Sequence, residues 1–365
     1  MLIERPRVLL CFTSHVRQQY VTDADLARLE QIAEWEWLPS EGPPAVGTTG
    51  WEWGNASTDP ADSERLKEAI GTYDALVVCH GAPYLDAGVL DAAPRLRLVG
   101  ELEGDRFANR IDVPACAERG VRVVDTTHGS SLPVAEWALG LILVSLRNAA
   151  PYYRRLIAGE RVVAWGDRHD PGFRMSELTG RAVGLIGLGH VGRRLVELLE
   201  PFRCRIMAHD PYVAKEVALA MHVQLTSLER VLGQSDVVVC CAPITPRTYR
   251  MIGAPQLELL RDNSVFVNVS RGGIVDPDAL IARAKQGNIR VGLDVFDPEP
   301  IPEDSEIRRL PNVFLTPHIA SLSAACGPRF FSFMVEELQR FFAGDETLHD
   351  ITPRVLANRR GATPV

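Results

Sequence analysis

Val183-Gly184-Leu185-Ile186-Gly187-Leu188-Gly189-His190-Val191-Gly192 runs from an apolar segment into Gly-x-Gly-x-x-Gly. Such a run reads as a buried strand turning into a helix that opens near Arg193. Gly187 permits the tight turn, Gly189 lets backbone approach a pyrophosphate, and Gly192 lets the helix pack close to the strand. Phosphates at that helix N-terminus meet unpaired N–H groups and the positive end of the helix dipole. A second apolar run, Arg205-Ile206-Met207-Ala208-His209, ends at Asp210, eighteen residues after Gly192. A carboxylate there accepts hydrogen bonds from an adenosine ribose and repels a 2′-phosphate, which favours NAD over NADP. The neighbouring Arg203 and Arg205 leave room for mixed use.

Working outward, strands and helices alternate on both sides. Upstream, Val8–Phe12, Ala75–Cys79, Leu96–Val99 and Val121–Val124 read as strands, with helices over Asp23–Ile32, Ser63–Ile70 and Pro114–Arg119. Thr22 or Asp23 caps the first helix. Pro39–Pro60 reads as a long loop whose Trp51 and Trp53 either anchor it or cover a cleft or a subunit contact. Downstream, Val183–Ile186, Arg205–Ala208, Val237–Cys240, Val265–Val269, Arg290–Leu293 and Val313–Thr316 make a six-stranded dinucleotide-binding sheet. Between the two series, Pro133–Arg147 is a helix apolar nearly all round, hence buried, followed by a connector, Tyr152–Arg174. The last helix, Phe330–Phe342, ends at Gly344, and the segment from Arg354 reads as a polar tail.

A chain of 365 residues, 46% of them hydrophobic, has length and apolar content for two domains with full cores. The net charge of −8 argues against nucleic acid and anionic membrane surfaces as partners. No Cys-x-x-Cys pair occurs among the seven cysteines, so no metal site is expected, and their scatter suits a reducing cytoplasm. The apolar run Val8–Phe12 is no signal peptide, and Val134–Leu146 is too short to span a bilayer. The expectation is therefore a cytoplasmic protein without a membrane partner.

Three segments at the predicted carboxyl ends of strands carry chemistry: Asn268–Asp276 with Arg271, Leu293–Pro300 with Asp294 and Glu299, and Leu315–Ala320 with His318. Oxidising an alcohol by hydride loss also releases a proton, which calls for a base that titrates near neutrality, and histidine is that side chain. A glutamate on its far ring nitrogen orients the ring. An arginine offers paired donors to a carboxylate and a positive field to a developing alkoxide. Singly, each of these residues is an ordinary loop residue; their order after a dinucleotide motif is what carries the reading.

The stretches "VGLIGLGHVGRRL", "DVVVCCAPITPRT", "NVSRGGIVD", "LDVFDPEP" and "LTPHIA" resemble the D-isomer-specific 2-hydroxyacid dehydrogenases, over roughly Leu96–Leu338 and more loosely before it. The resemblance implies an α/β fold of two domains: a Rossmann-type NAD-binding domain, 131–318, inserted in a discontinuous flavodoxin-like substrate domain, 1–130 and 319–350, with 351–365 as a tail. It implies that Arg271 binds the substrate's carboxylate and carbonyl, and that Glu299 supports His318, the acid/base. On the cofactor side it implies Gly187, Gly189, His190, Val191, Gly192 and Asp210, then Ala242 and Pro243 beside the adenine and ribose, with Ser131 and Asp294 near the nicotinamide, and Ser270 and Ala320. The implied activity is NAD-dependent interconversion of a small 2-oxo acid and a D-2-hydroxy acid, in a homodimer formed through the helix after Pro133. A glutamate at 299 speaks against a formate dehydrogenase, whose pattern has glutamine there. The other reading is an NADH-sensing, corepressor-like binding protein of the same fold without turnover, which has no need of the whole Arg–Glu–His set.

Two departures stand out. The family carries a glycine-rich, carboxylate-binding loop where this chain has Gly100-Glu101-Leu102-Glu103-Gly104-Asp105-Arg106-Phe107. Either its three acids point outward or the substrate is unusual. Cys241 stands where the family often has histidine, beside the cofactor, which implies altered cofactor affinity.

Overall fold

Every residue of Arg7–Phe12 (β1) after Arg7 is apolar and buried, as expected of a strand covered on both faces. Its alternating side chains feed two cores. Leu9 and Cys11 join Leu76, Val78 and Val99 under the helices Pro60–Ile70 and Val113–Glu118; Val8, Leu10 and Phe12 join Val77 and Leu98 against the helices Asp23–Ile32 and Cys326–Ala343. With Glu34–Pro39 (β2), Ala75–Val78 (β3), Leu98–Glu101 (β4) and Arg122–Asp125 (β5), it forms a parallel sheet of order β2-β1-β3-β4-β5. The structure, a computed structural model, describes residues 5–42, 56–162 and 176–360. Trp51 and Trp53, with most of the expected Pro39–Pro60 loop, lie outside them, as does much of the connector. β2 was not expected as a strand; its Trp35 and Trp37 alternate with exposed glutamates. Thr22, not Asp23, caps the following helix by accepting from the Asp25 amide.

The second sheet comprises Ala182–Ile186 (β6), Arg205–His209 (β7), Gln224–Leu225 (β8), Val237–Cys240 (β9), Val265–Asn268 (β10), Arg290–Leu293 (β11) and Val313–Leu315 (β12), all parallel, in the order β12-β11-β10-β9-β6-β7-β8. The two-residue edge strand β8 makes seven strands where six were expected. From β6 the chain winds outward to β8, then returns to lay β9 on the other side of β6. Ligands of open α/β sheets bind outside the carboxyl ends of the strands at such a reversal.

The long helix spans Ser131–Leu146, two residues earlier than expected, and buries Ala135, Ala138, Leu141 and Ile142. Gly292 on β11 admits it: a Cβ there would lie 3.3 Å from the Leu141 Cβ and 3.0 Å from the Ser145 Oγ. The helical segment Thr127–Leu146 has 20 residues, longer than the apolar run Val134–Leu146 read from the sequence, and by length and composition only is long and apolar enough to cross a membrane, while Leu141, Ile142 and Leu146 pack in the core of the second sheet. A further helix, Ala149–Ile157, replaces the start of the expected connector.

The chain divides into two units, Met1–Ser130 with Ser323–Arg359, and Ser131–Leu322 with the last residues. The return crossing lies after Leu322 instead of His318, because the Asp294 carboxylate holds the Ile319 and Ala320 amides in the second unit. The tail is corrected as well. Ile351 is buried, Pro353–Arg359 is helical, and Leu356 enters the first unit's core.

Candidate active site

At the reversal of the second sheet, Gly187 has φ +96°, and a Cβ there would lie 2.8 Å from the Ala242 amide nitrogen. A Cβ on Gly192 would lie 2.6 Å from the Gly187 carbonyl oxygen. Both positions therefore exclude side chains, one by backbone conformation and contact, the other by the approach of helix to strand. The helix opens at His190, with Gly189 as its N-cap, three residues before the expected start. His190, Val191 and Gly192 thus form its first turn, where amides have no intrahelical partner. A glycine turn beneath a helix N-terminus fits a pyrophosphate, and hence a bound dinucleotide.

Asp210, just after β7, fixes that turn. Its Oδ2 accepts from the Leu188 amide at 2.8 Å, and its Oδ1 from the Tyr212 and Val213 amides at 2.9 and 3.2 Å. On the other side, the Ser270 hydroxyl donates to the Ala242 carbonyl, tying the loops after β10 and β9. Pro243 follows in that turn. Burial, then the neighbouring Cys240, pushes the Cys241 thiol up, so it stays uncharged.

Arg271, Glu299 and His318 follow three adjacent strands, β10, β11 and β12. Buried Asn268, at the end of β10, aims the first loop: its Oδ1 accepts from the Ser270 amide and its Nδ2 donates to the Arg271 carbonyl, both at 3.1 Å. A Cβ on Gly272 would fall 1.9 Å from the Phe296 carbonyl carbon. Only glycine lets the arginine loop lie on the segment that leads to Glu299.

His318 has φ +54°, a left-handed conformation sparsely populated by non-glycine residues and costing ~1–3 kcal/mol. Its surroundings hold it there. Fully buried Asp294 accepts from the Thr316 hydroxyl at 2.6 Å, and from the Ile319 and Ala320 amides at 3.0 and 2.9 Å. Trp137 Nε1 in turn donates to the Thr316 hydroxyl at 3.2 Å. The His318 Nδ1 lies 3.0 Å from the Glu299 Oε1. A carboxylate accepts from the ring at Nδ1, which leaves Nε2 for chemistry. Asp294, expected beside the nicotinamide, is here the clamp of the histidine loop. Asn268, Thr316 and Trp137 were not anticipated. Asn268 had a signal, an Asx residue closing a buried strand before an arginine; the other two matter only through tertiary contacts.

The acidic stretch belongs to the first unit. Glu101 is the last residue of β4, fully buried, and paired with fully buried Arg110. Burial pushes its carboxyl up, against the pull of the guanidinium. Glu103 is bonded to Tyr20 and His80. The inward acids are thus partnered, an arrangement neither sequence alternative contained. Arg110→Met alone should destabilise the fold by ~3–5 kcal/mol, whereas the double variant with Glu101→Leu should be near neutral or better. Urea unfolding of the parent and the two variants reads the difference.

His128 stacks on His349 and Phe333, ring centroids 3.8 and 4.8 Å apart. Burial, then the charge of His349, lowers its pKa to about 3. Since it charges more readily unfolded, its contribution to stability is lost as pH falls below ~6.5, at no more than ~1.4 kcal/mol per pH unit. His128→Phe should shrink the fall in urea midpoint between pH 7 and pH 5.

Residues 139–320 match the family described as D-isomer specific 2-hydroxyacid dehydrogenase, NAD binding domain. A glyoxylate reductase of Korarchaeum cryptofilum is 33% identical over 78% of this chain and 85% of its own length. A D-3-phosphoglycerate dehydrogenase of Methanocaldococcus jannaschii is 34% identical over 77% of this chain, which spans only about half, 52%, of that protein. A D-mandelate dehydrogenase structure from Rhodotorula graminis superposes with a TM-score of 0.77 at 24% identity, covering 95% of this chain and 98% of that one, and shows the fold.

Proposed function

The chain belongs to the D-isomer-specific 2-hydroxyacid dehydrogenases, and from that premise we propose that it interconverts a 2-oxo acid and a D-2-hydroxy acid with NAD(H), His318 acting as acid/base. NAD, when bound, takes up or supplies the hydride. Arg271 binds the substrate carboxylate and sets a positive field on the carbonyl oxygen. In reduction, the His318 Nε2 gives its proton to that oxygen as alkoxide character develops; in oxidation it takes the proton back. Glu299 holds Nδ1–H, fixes the ring and stabilises its charged form. The observation that carries this reading is the His318–Glu299 pair, 3.0 Å apart on a loop clamped by Asp294. Steady-state assays of 2-oxo acids with NADH and NADPH test it. Turnover with NADH preferred is expected; NADH binding without turnover of any acid would sink it.

The homodimer is part of the same proposal. Tyr153, Leu156 and Ile157 are 59, 57 and 68% exposed, and Leu143 on the preceding helix is 38% exposed. A second copy covers such an apolar face economically through a two-fold interface. Light scattering at ~10 μM should give a dimer mass, and Leu156→Glu should shift it to monomer; a monomeric parent protein refutes the interface.

A further inference from the structure

The loop that carries His318 is gripped on both sides of the histidine by one side chain. Before it, Asp294 Oδ1 accepts from the Thr316 hydroxyl at 2.6 Å; after it, the same carboxylate accepts from the Ile319 and Ala320 amides. Between the two grips His318 keeps its left-handed backbone. These residues and the long helix Ser131–Leu146 all belong to the second unit.

The Thr316 hydroxyl is the weaker grip, because it can turn. It has one hydrogen and two acceptors within reach, Asp294 Oδ1 at 2.6 Å and the Leu293 carbonyl at 3.4 Å. Its third partner is the Trp137 Nε1, 3.2 Å away. An indole N–H donates and never accepts. It therefore occupies a lone pair of the hydroxyl oxygen and leaves the hydroxyl's own hydrogen to the short bond with the carboxylate. A hydroxyl that accepts one hydrogen bond also donates a stronger one. Trp137 is anchored apart from the loop it touches. On either side of it in the long helix, Ala135, Ala138 and Leu141 are fixed in the core of the second unit. The indole is thus a support on a rigid element, reaching a loop whose backbone is strained.

We propose that Trp137 is a positioning residue for the reaction proposed above: acting through Thr316 and Asp294, its N–H keeps the His318 ring in the orientation that Glu299 completes. The inference rests on that reaction. Misplacing a catalytic group by ~1 Å costs up to ~10²-fold in rate, and this one would be misplaced without disturbing the glycine turn after β6.

The test is a double-mutant cycle in the full chain, with kcat, KM and NADH affinity measured for whichever of glyoxylate, pyruvate and phenylglyoxylate the parent reduces fastest. Trp137→Phe removes the N–H and should lower kcat about tenfold, with KM and NADH affinity within about threefold of the parent. Thr316→Val should lower kcat at least as much, whereas Thr316→Ser, which restores the hydroxyl, should stay within about threefold of the parent. In the Thr316→Val background, Trp137→Phe should cost no more than about a further twofold, because the route it acts through is already cut. NADH binding by each variant reports on folding. If Trp137→Phe fails to fold, 3-benzothienylalanine placed at position 137 keeps the ring shape with sulfur in place of the N–H, and should give the same tenfold loss. A kcat within about twofold of the parent without the N–H, losses that multiply in the double variant, or a loss that falls on NADH affinity overturns the inference and leaves the reaction standing. Failure of the parent to reduce any 2-oxo acid refutes the reaction, and the positioning role falls with it.

Discussion

Replacing His318 with alanine should lower kcat by ~10²–10⁴-fold, the usual worth of a positioned general acid or base. NADH affinity should stay within about threefold, since the glycine turn belongs to β6 and Asp210, and the histidine loop follows β12. Stopped-flow fluorescence titration of NADH beside steady-state turnover separates the two. Glu299→Gln should fall between variant and parent, because the amide still accepts from Nδ1–H but no longer stabilises a charged ring. Equal loss of cofactor affinity and turnover in His318→Ala would reassign the residue to holding the loop, a role that its left-handed backbone and the Asp294 clamp make the natural competitor.

Arg271→Ala should lower kcat/KM by ~10²–10³-fold, the loss associated with one preorganised group at a developing oxyanion. Part of the loss should fall on KM, through the substrate carboxylate, and part on kcat, through the carbonyl oxygen. Arg271→Lys should recover little, because an ammonium lacks the planar fork that pairs with a carboxylate. Unchanged KM for every acid in Arg271→Ala contradicts the carboxylate role. Since Asn268 and Gly272 aim this loop, Asn268→Ala should mimic a weaker form of the same defect.

What could be read in the sequence follows from how local each feature is. β6, its glycine turn and Asp210 are contiguous in pattern, and Arg271, Glu299 and His318 sit in short segments that each follow a strand of the second sheet. β2 is readable in principle, since Glu34-Trp35-Glu36-Trp37 alternates with period two, but it falls between the helix ending at Ile32 and the loop starting at Pro39, a gap too short to stand out. β8, two residues long, has no period to show. The Glu101–Arg110 pair was out of reach. It joins residues nine apart through a loop with left-handed backbone at Asp105, Arg106 and Ala108, a path that no periodicity encodes. The same holds for the Asp294 clamp, where a carboxylate expected at the cofactor is turned onto amides of a loop 25 residues away.

Reduction of a 2-oxo acid whose 2-hydroxy product is chiral with stoichiometric NADH, followed by chiral chromatography of the product, tests the central claim most directly. NADH consumption should equal product formed, and the product should be the D-2-hydroxy acid, with both lost in His318→Ala. An L-configured or racemic product, or NADH that binds and is never consumed, contradicts the account.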